Sequence, residues 1–263
     1  MSDYADLLTD LIAEGDSADA LVSTLDDAGW DTPTPAPGWT IRHQISHLTW
    51  TDRKVLLAVT DPDEFRDELR LAIDHVAEYL DQGAREGAGQ PPAELLAAWR
   101  ESRRALGEAF RGLPEGIRLP WYGRPISRAS MVLGRLMETW AHGEDVAEAL
   151  GVTRGFTPRL YQVASFGHRT YRWAFVVNGL PEPETDLRAE LSTPDGALWT
   201  FGPADATDRV TGPALDFCLR TTQRRHRDDL ALVAEGSNAD TWLDIAQAFA
   251  GPPGDGRAPG QHA

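Results

Sequence analysis

A carboxylate and an imidazole four residues apart fall on one face of a helix, and Glu138 and His142 have that spacing. Such a pair can grip one divalent ion, but two ligands are not a site. A third ligand must come from another stretch. His43 and His47, themselves four apart, supply candidates. The sharpest reading is zinc or a similar ion on His47, Glu138 and His142. A His₂Glu set leaves an open coordination position on zinc, as a catalytic site needs. The plain reading is two polar side chains on a helix surface and an unrelated core histidine, because Glu-x-x-x-His also arises by chance.

Other groups stand near these. Asp145, three residues beyond His142, can orient that ring through its second nitrogen, and Asp52 can serve His47 or His43 in the same way. Helix-surface solvation is the competing role for both aspartates. Cys218 lies between Leu215 and Leu219 on an apolar stretch and reads as a small core residue. Arg224 and Arg225 can hold a carboxylate or phosphate bidentately, or simply complement a helix C-terminus. Trp50, Trp121, Tyr122 and Trp140 can wall a pocket or fill a core. The sequence has no Gly-x-Ser-x-Gly, no phosphate-cradling glycine loop and no Cys-x-x-Cys. His75, His168 and His262 have no partner pattern.

These groups need elements to position them. Residues 127–151 read as one long helix, with Ser127 as N-cap and Gly151 as the left-handed C′ residue. Apolar spacing predicts helices over 3–28, 40–60 and 64–82. Asp31–Gly38, rich in proline, separates the first two. Gly83–Pro92 reads as a mobile loop, and Pro92 then opens a helix to about Arg111. A further helix is expected from Pro158 to Asn178. Near residue 185 the period changes from helical to alternating. Strands are expected at 187–191, 197–201, 208–211 and 230–233, with a turn at Thr193–Gly196 and helices over 213–226 and 239–250. The expected domains are a helical bundle over 1–180, a small α+β domain over 185–250 and a disordered tail over 251–263.

The totals exclude some functions. A net charge of −16 opposes nucleic acid or an anionic membrane as main partner. No run of about eighteen apolar residues suggests a membrane-spanning helix. The acidic start lacks the pattern of a signal peptide. One cysteine permits no internal disulfide, which fits a reducing cytoplasm. The 263 residues can bury a substantial core. Basic residues are almost all arginine, with Lys54 the sole lysine, a bias of GC-rich bacterial genomes.

Thr34-Pro-Ala-Pro-Gly-Trp-Thr-Ile-Arg-His-Gln-Ile-Ser-His-Leu48 resembles the N-terminal motif of the mycothiol-dependent maleylpyruvate isomerase family, within the DinB-like metal-binding bundles. Leu136–Gly151 resembles that family's second metal motif. The resemblance implies His47, Glu138 and His142 as ligands of one divalent ion, usually zinc, on a four-helix bundle followed by a small C-terminal α/β sandwich-type domain. It selects His47, the histidine before Leu48, over His43, where the family commonly has Asp. Val210–His226 resembles the family's C-terminal domain, in which a helix ends in an arginine needed for activity; Arg224 is the matching position. The family often has Gly-Arg there, whereas this chain has Gln223-Arg224, closer to an uncharacterised actinobacterial subgroup.

The resemblance implies a metal-dependent enzyme that activates mycothiol for isomerisation of, or S-transfer to, a small electrophile; a monomer or homodimer is expected. Two alternatives stay open. One is a zinc-hydroxide enzyme without a thiol. The other is a binding or regulatory protein with a structural metal, which a fourth protein ligand such as His43 would favour.

Overall fold

The protein is described by a computed structural model covering residues 3–72, 75–254 and 256–261. It divides into two compact units, Met1–Thr153 and Arg154–Ala263.

In the first unit α1 (Tyr4–Val22) and the short α2 (Asp27–Trp30) lead to α3 (Ile41–Thr60). Then come α4 (Pro62–Ala72), α5 (Val76–Ala88) and α6 (Pro92–Arg111). A two-residue ladder, β1 (Arg118–Leu119) with β2 (Ile126–Ser127), opens α7 (Arg128–Ala149). α1 packs on α7, α7 on α3, α3 on α6 and α6 on α1, which closes a four-helix bundle. The core between them includes Ile41, Ile45, Leu48, Trp99 and Val146. α4 and α5 pack on α3.

The ends of α7 follow from its sequence. The Ser127 hydroxyl accepts from the Ser130 N–H at 3.1 Å. At the other end Gly151 has φ +65°. The Gly151 N–H donates to Glu148 O, and the Val152 N–H to Ala147 O. This is a Schellman closure, which needs the left-handed residue that glycine allows.

Residues 83–88 are helix, where the glycine run suggested a loop. The reason is close packing. A Cβ at Gly83 would lie 2.5 Å from the Trp50 ring, and one at Gly87 would lie 2.2 Å from Ser46 Oγ. Only the missing side chains let α5 approach α3 this nearly. The expected helix over 64–82 is two pieces, α4 and α5; residues 73 and 74, between them, lie outside the described residues, as does His262.

In the second unit α8 (Leu160–Arg169) and α9 (Tyr171–Val177) precede β3 (Leu187–Ser192), β4 (Leu198–Phe201) and β5 (Asp208–Pro213). They are followed by α10 (Ala214–Thr221), β6 (Val233–Glu235) and α11 (Ser237–Ile245). The sheet order is β4-β3-β5-β6, with β3 and β5 parallel and both edges antiparallel. The β3–β4 turn places Gly196 at φ +85°. α8 packs on α10 and β4, so it belongs with the sheet, and the expected division near 180–185 falls inside this unit. Within 251–261, expected as a disordered tail, Arg257 is buried and the Gly260 N–H donates to the Asp229 carboxylate.

Candidate metal centre

His47 lies in the second turn of α3, and Glu138 and His142 lie on successive turns of α7. Because α3 and α7 are neighbours in the bundle, the three side chains converge. One ligand atom from each lies within 4.8 Å of the others. Glu138 Oε2 is 3.2 Å from His142 Nε2 and 3.9 Å from His47 Nε2. The imidazole centroids are 4.6 Å apart. Both histidines are buried and the carboxylate is partly exposed. This donor set fits a borderline ion such as zinc, with three protein ligands. Burial alone would raise the Glu138 pKa. The hydrogen bonds and charges of His142 and His47 outweigh it and hold the carboxyl well below its usual range.

Around the ligands, His142 Nδ1 is 2.5 Å from Gln44 Oε1. The Gln44 amide donates to Thr34 Oγ1 at 2.9 Å, and that hydroxyl donates to Trp39 O at 2.9 Å. His47 Nδ1 is buried and has no hydrogen-bond partner among the described residues. Trp39 stacks on His142 at 6.1 Å and tilts against His47 at 5.3 Å. Trp50 stacks on His47 at 6.5 Å.

The expected partners of these histidines are therefore rearranged. Asp145 Oδ2 is 4.0 Å from His142 Nδ1, beyond hydrogen-bonding distance, and Gln44 takes the place expected for it. Asp52 serves neither His43 nor His47 as a hydrogen-bond acceptor. Its Oδ1 accepts from Arg135 Nε at 3.0 Å, with Arg135 Nη2 at 2.9 Å, in a buried pair that joins α3 to α7. Burial pushes the Asp52 carboxyl up, and Arg135 only partly offsets it. His43 lies outside the three-residue cluster. Its Nδ1 accepts from the Thr40 N–H at 3.2 Å, so it caps the start of α3. Burial lowers its pKa, with Arg85 contributing.

Trp121 and Tyr122 pack on Phe65 of α4, and Trp140 is buried on α7. Cys218 is buried on α10, its thiol 3.6 Å from Leu160 O. Arg224 belongs to the second unit and follows α10. Gln223, just before it, is the one non-glycine at positive φ among the described residues, at +59°. The Arg224 N–H donates to Leu219 O, so Gln223 occupies the left-handed position of a helix closure. That is where the resembling family often has glycine.

Sequence reasoning missed Gln44, Thr34 and Trp39 as parts of the site. A signal was present for the first: Gln44 precedes His47 by three residues, on the same face of a helix whose neighbours on that side are apolar.

Residues 11–147 match the family described as mycothiol maleylpyruvate isomerase N-terminal domain. Residues 191–235 match a second description, wyosine base formation. The chain is 51% identical over 257 residues to uncharacterised proteins of Mycobacterium tuberculosis strains CDC 1551 and H37Rv, covering 98% of this chain and 100% of each relative. Among solved structures it is similar to the mycothiol-dependent maleylpyruvate isomerase, with TM-score 0.61 and 16% identity over 89% of this chain and 93% of that one. A mutant of that isomerase gives TM-score 0.59 and 17% identity with the same coverage. At this identity the likeness shows the fold: a DinB-like bundle with a small mixed domain.

Proposed function

The chain belongs to the mycothiol maleylpyruvate isomerase N-terminal domain family, and on that premise we propose that it is a divalent-metal-dependent enzyme that uses a thiol, mycothiol, to isomerise or S-transfer to a small electrophile. The observation that carries this reading is the convergence of His47, Glu138 and His142 from two helices of the bundle. Those residues would hold the ion, with zinc the expected one. When bound, such an ion lowers the pKa of a coordinated thiol and supplies thiolate at neutral pH.

The chain's own residues supply the rest. Glu138, held ionised by its two imidazole neighbours, contributes the negative charge of the donor set. Trp39 and Trp50 flank the imidazoles with apolar surface, which lowers the local dielectric and excludes water from one side. Arg224, matching the arginine of the resembling family, would orient a carboxylate of the substrate or a polar group of the thiol. His43 caps α3 through Nδ1 and lies outside the three-residue cluster, which supports an open position over a site closed by a fourth protein ligand.

The test is turnover of maleylpyruvate, or conjugation of a small electrophile, by purified protein with and without mycothiol. Activity that needs both thiol and divalent metal is expected. Metal-dependent hydrolysis indifferent to thiol would replace this reading with the zinc-hydroxide one. Arg224→Ala should keep its metal and lose at least ~10-fold in kcat/KM, as loss of a charge-assisted contact does. Full turnover in that variant would remove Arg224 from the reaction.

A further inference from the structure

We propose that Gln44 is a positioning residue that fixes the tautomer of His142, through a hydrogen-bond relay whose direction is set by a backbone carbonyl. The proposal rests on the metal reading for its purpose, though not for its geometry.

The direction of the relay follows from which atoms can donate. The Trp39 carbonyl can only accept, so the Thr34 hydroxyl spends its single proton there. Thr34 Oγ1 is left with lone pairs, and what points at it must donate. The Gln44 amide nitrogen does so, at 2.9 Å. With that end fixed, Gln44 turns its oxygen toward His142 Nδ1, at 2.5 Å. An amide oxygen only accepts, so His142 Nδ1 carries the proton. The lone pair of the neutral ring then belongs to Nε2, the nitrogen 3.2 Å from Glu138 Oε2.

This has an electrostatic consequence. With Nδ1–H committed to Gln44, His142 donates to Glu138 only when the ring carries a second proton, on Nε2; the neutral ring faces the carboxylate with a lone pair. Two acceptors at that separation repel unless a positive species lies with them, either a second proton on the ring or a shared cation. The relay therefore prepares His142 as a ligand through Nε2 before any ion arrives. His47 is held differently: its Nδ1 has no hydrogen-bond partner among the described residues, so nothing comparable selects its tautomer. The relay also ties the ligand to the irregular Thr34–Trp39 segment. The same segment brings the Trp39 ring onto both imidazoles.

Two measurements on the full chain test this. Two-bond ¹H–¹⁵N correlation spectra of metal-free protein at alkaline pH report which nitrogen of His142 carries the proton. Chelator competition with zinc or cobalt reports affinity. Wild type should show the Nδ1–H form. Gln44→Leu should give a mixture of tautomers and bind metal about 10–100-fold more weakly, the usual effect of losing an outer partner of a ligand. Gln44→Glu, which can still accept from Nδ1–H, should keep the tautomer and stay within a few-fold of wild type. Thr34→Val should loosen the tautomer, because the amide is then free to reverse. An Nε2–H form in wild type overturns the proposal whatever the variants do. So does a Gln44→Leu protein with unchanged tautomer and affinity, which leaves the metal reading intact. A wild type that binds no divalent ion sinks the metal reading instead, while the spectra still judge the relay.

Discussion

At the residue scale, three side chains from two helices share one small volume, and their neighbours set their charge. Glu138 is the clearest case. Desolvation alone would raise its pKa, but His142 and His47 hold it well below the usual value of 4.5. A depressed carboxyl pKa means that the folded state binds fewer protons than the unfolded one. Its contribution to stability is therefore complete above about pH 4.5 and is lost as the pH falls through the depressed value. In metal-free protein Glu138→Gln should flatten the acid limb of stability against pH, measured by urea unfolding. An acid limb identical to wild type would contradict that assignment. For metal, Glu138→Ala and His142→Ala would each remove a proposed ligand outright. Each should weaken binding by more than the ~100-fold upper range for an outer partner, with the helical circular dichroism preserved. Metal content equal to wild type in either variant would remove that residue from the donor set. The Glu138–His142 spacing was legible in the sequence, as was His47 once the family motif was recognised. For Gln44 only its place three residues before His47 was legible; its contact with His142 depends on how α3 and α7 face one another, which no local spacing encodes.

At the element scale, α3 and α7 carry His47, Glu138 and His142, and the buried Asp52–Arg135 pair joins them. Removing one partner strands a buried charge. Arg135→Met should cost about 3–5 kcal/mol of unfolding free energy. The double variant Asp52→Leu with Arg135→Met should recover most of that. Equal losses in the single and double variants would show that packing, not the unpaired charge, is responsible. α5 braces α3 from the other side. Gly83→Ala forces a methyl into the Trp50 ring and should destabilise by about 1–3 kcal/mol, as overpacking does. A melting temperature unchanged from wild type would show that the two helices can separate without cost. The sequence showed α7 to its caps because Ser127 and Gly151 act locally. It misread α5 because Gly83, Gly87 and Gly89 are breakers by local propensity. The use of Gly83 and Gly87 as a close-packing face against Trp50 and Ser46 exists only once α3 is beside them. Asp52 was misassigned for a related reason. Its partner is 83 residues away in sequence.

At the scale of the whole molecule, the change of period near residue 185 correctly marked a sheet after a helical region. The contacts put α8 and α9 with that sheet, because α8 packs on α10 and β4 rather than ending the bundle. No helix among the described residues is long and apolar enough to cross a membrane. Membership of the isomerase family sets the chemistry to look for, and 51% identity across the full length of the mycobacterial relatives extends the same question to them. The proposed chemistry depends on one ion held by His47, Glu138 and His142. The most direct measurement is anomalous diffraction at the zinc edge from crystals of the full chain grown with zinc. One strong peak is expected, with His47, Glu138 and His142 at roughly 2.0–2.2 Å and a remaining position open to solvent or thiol. A folded protein with no peak among those three residues would contradict that expectation.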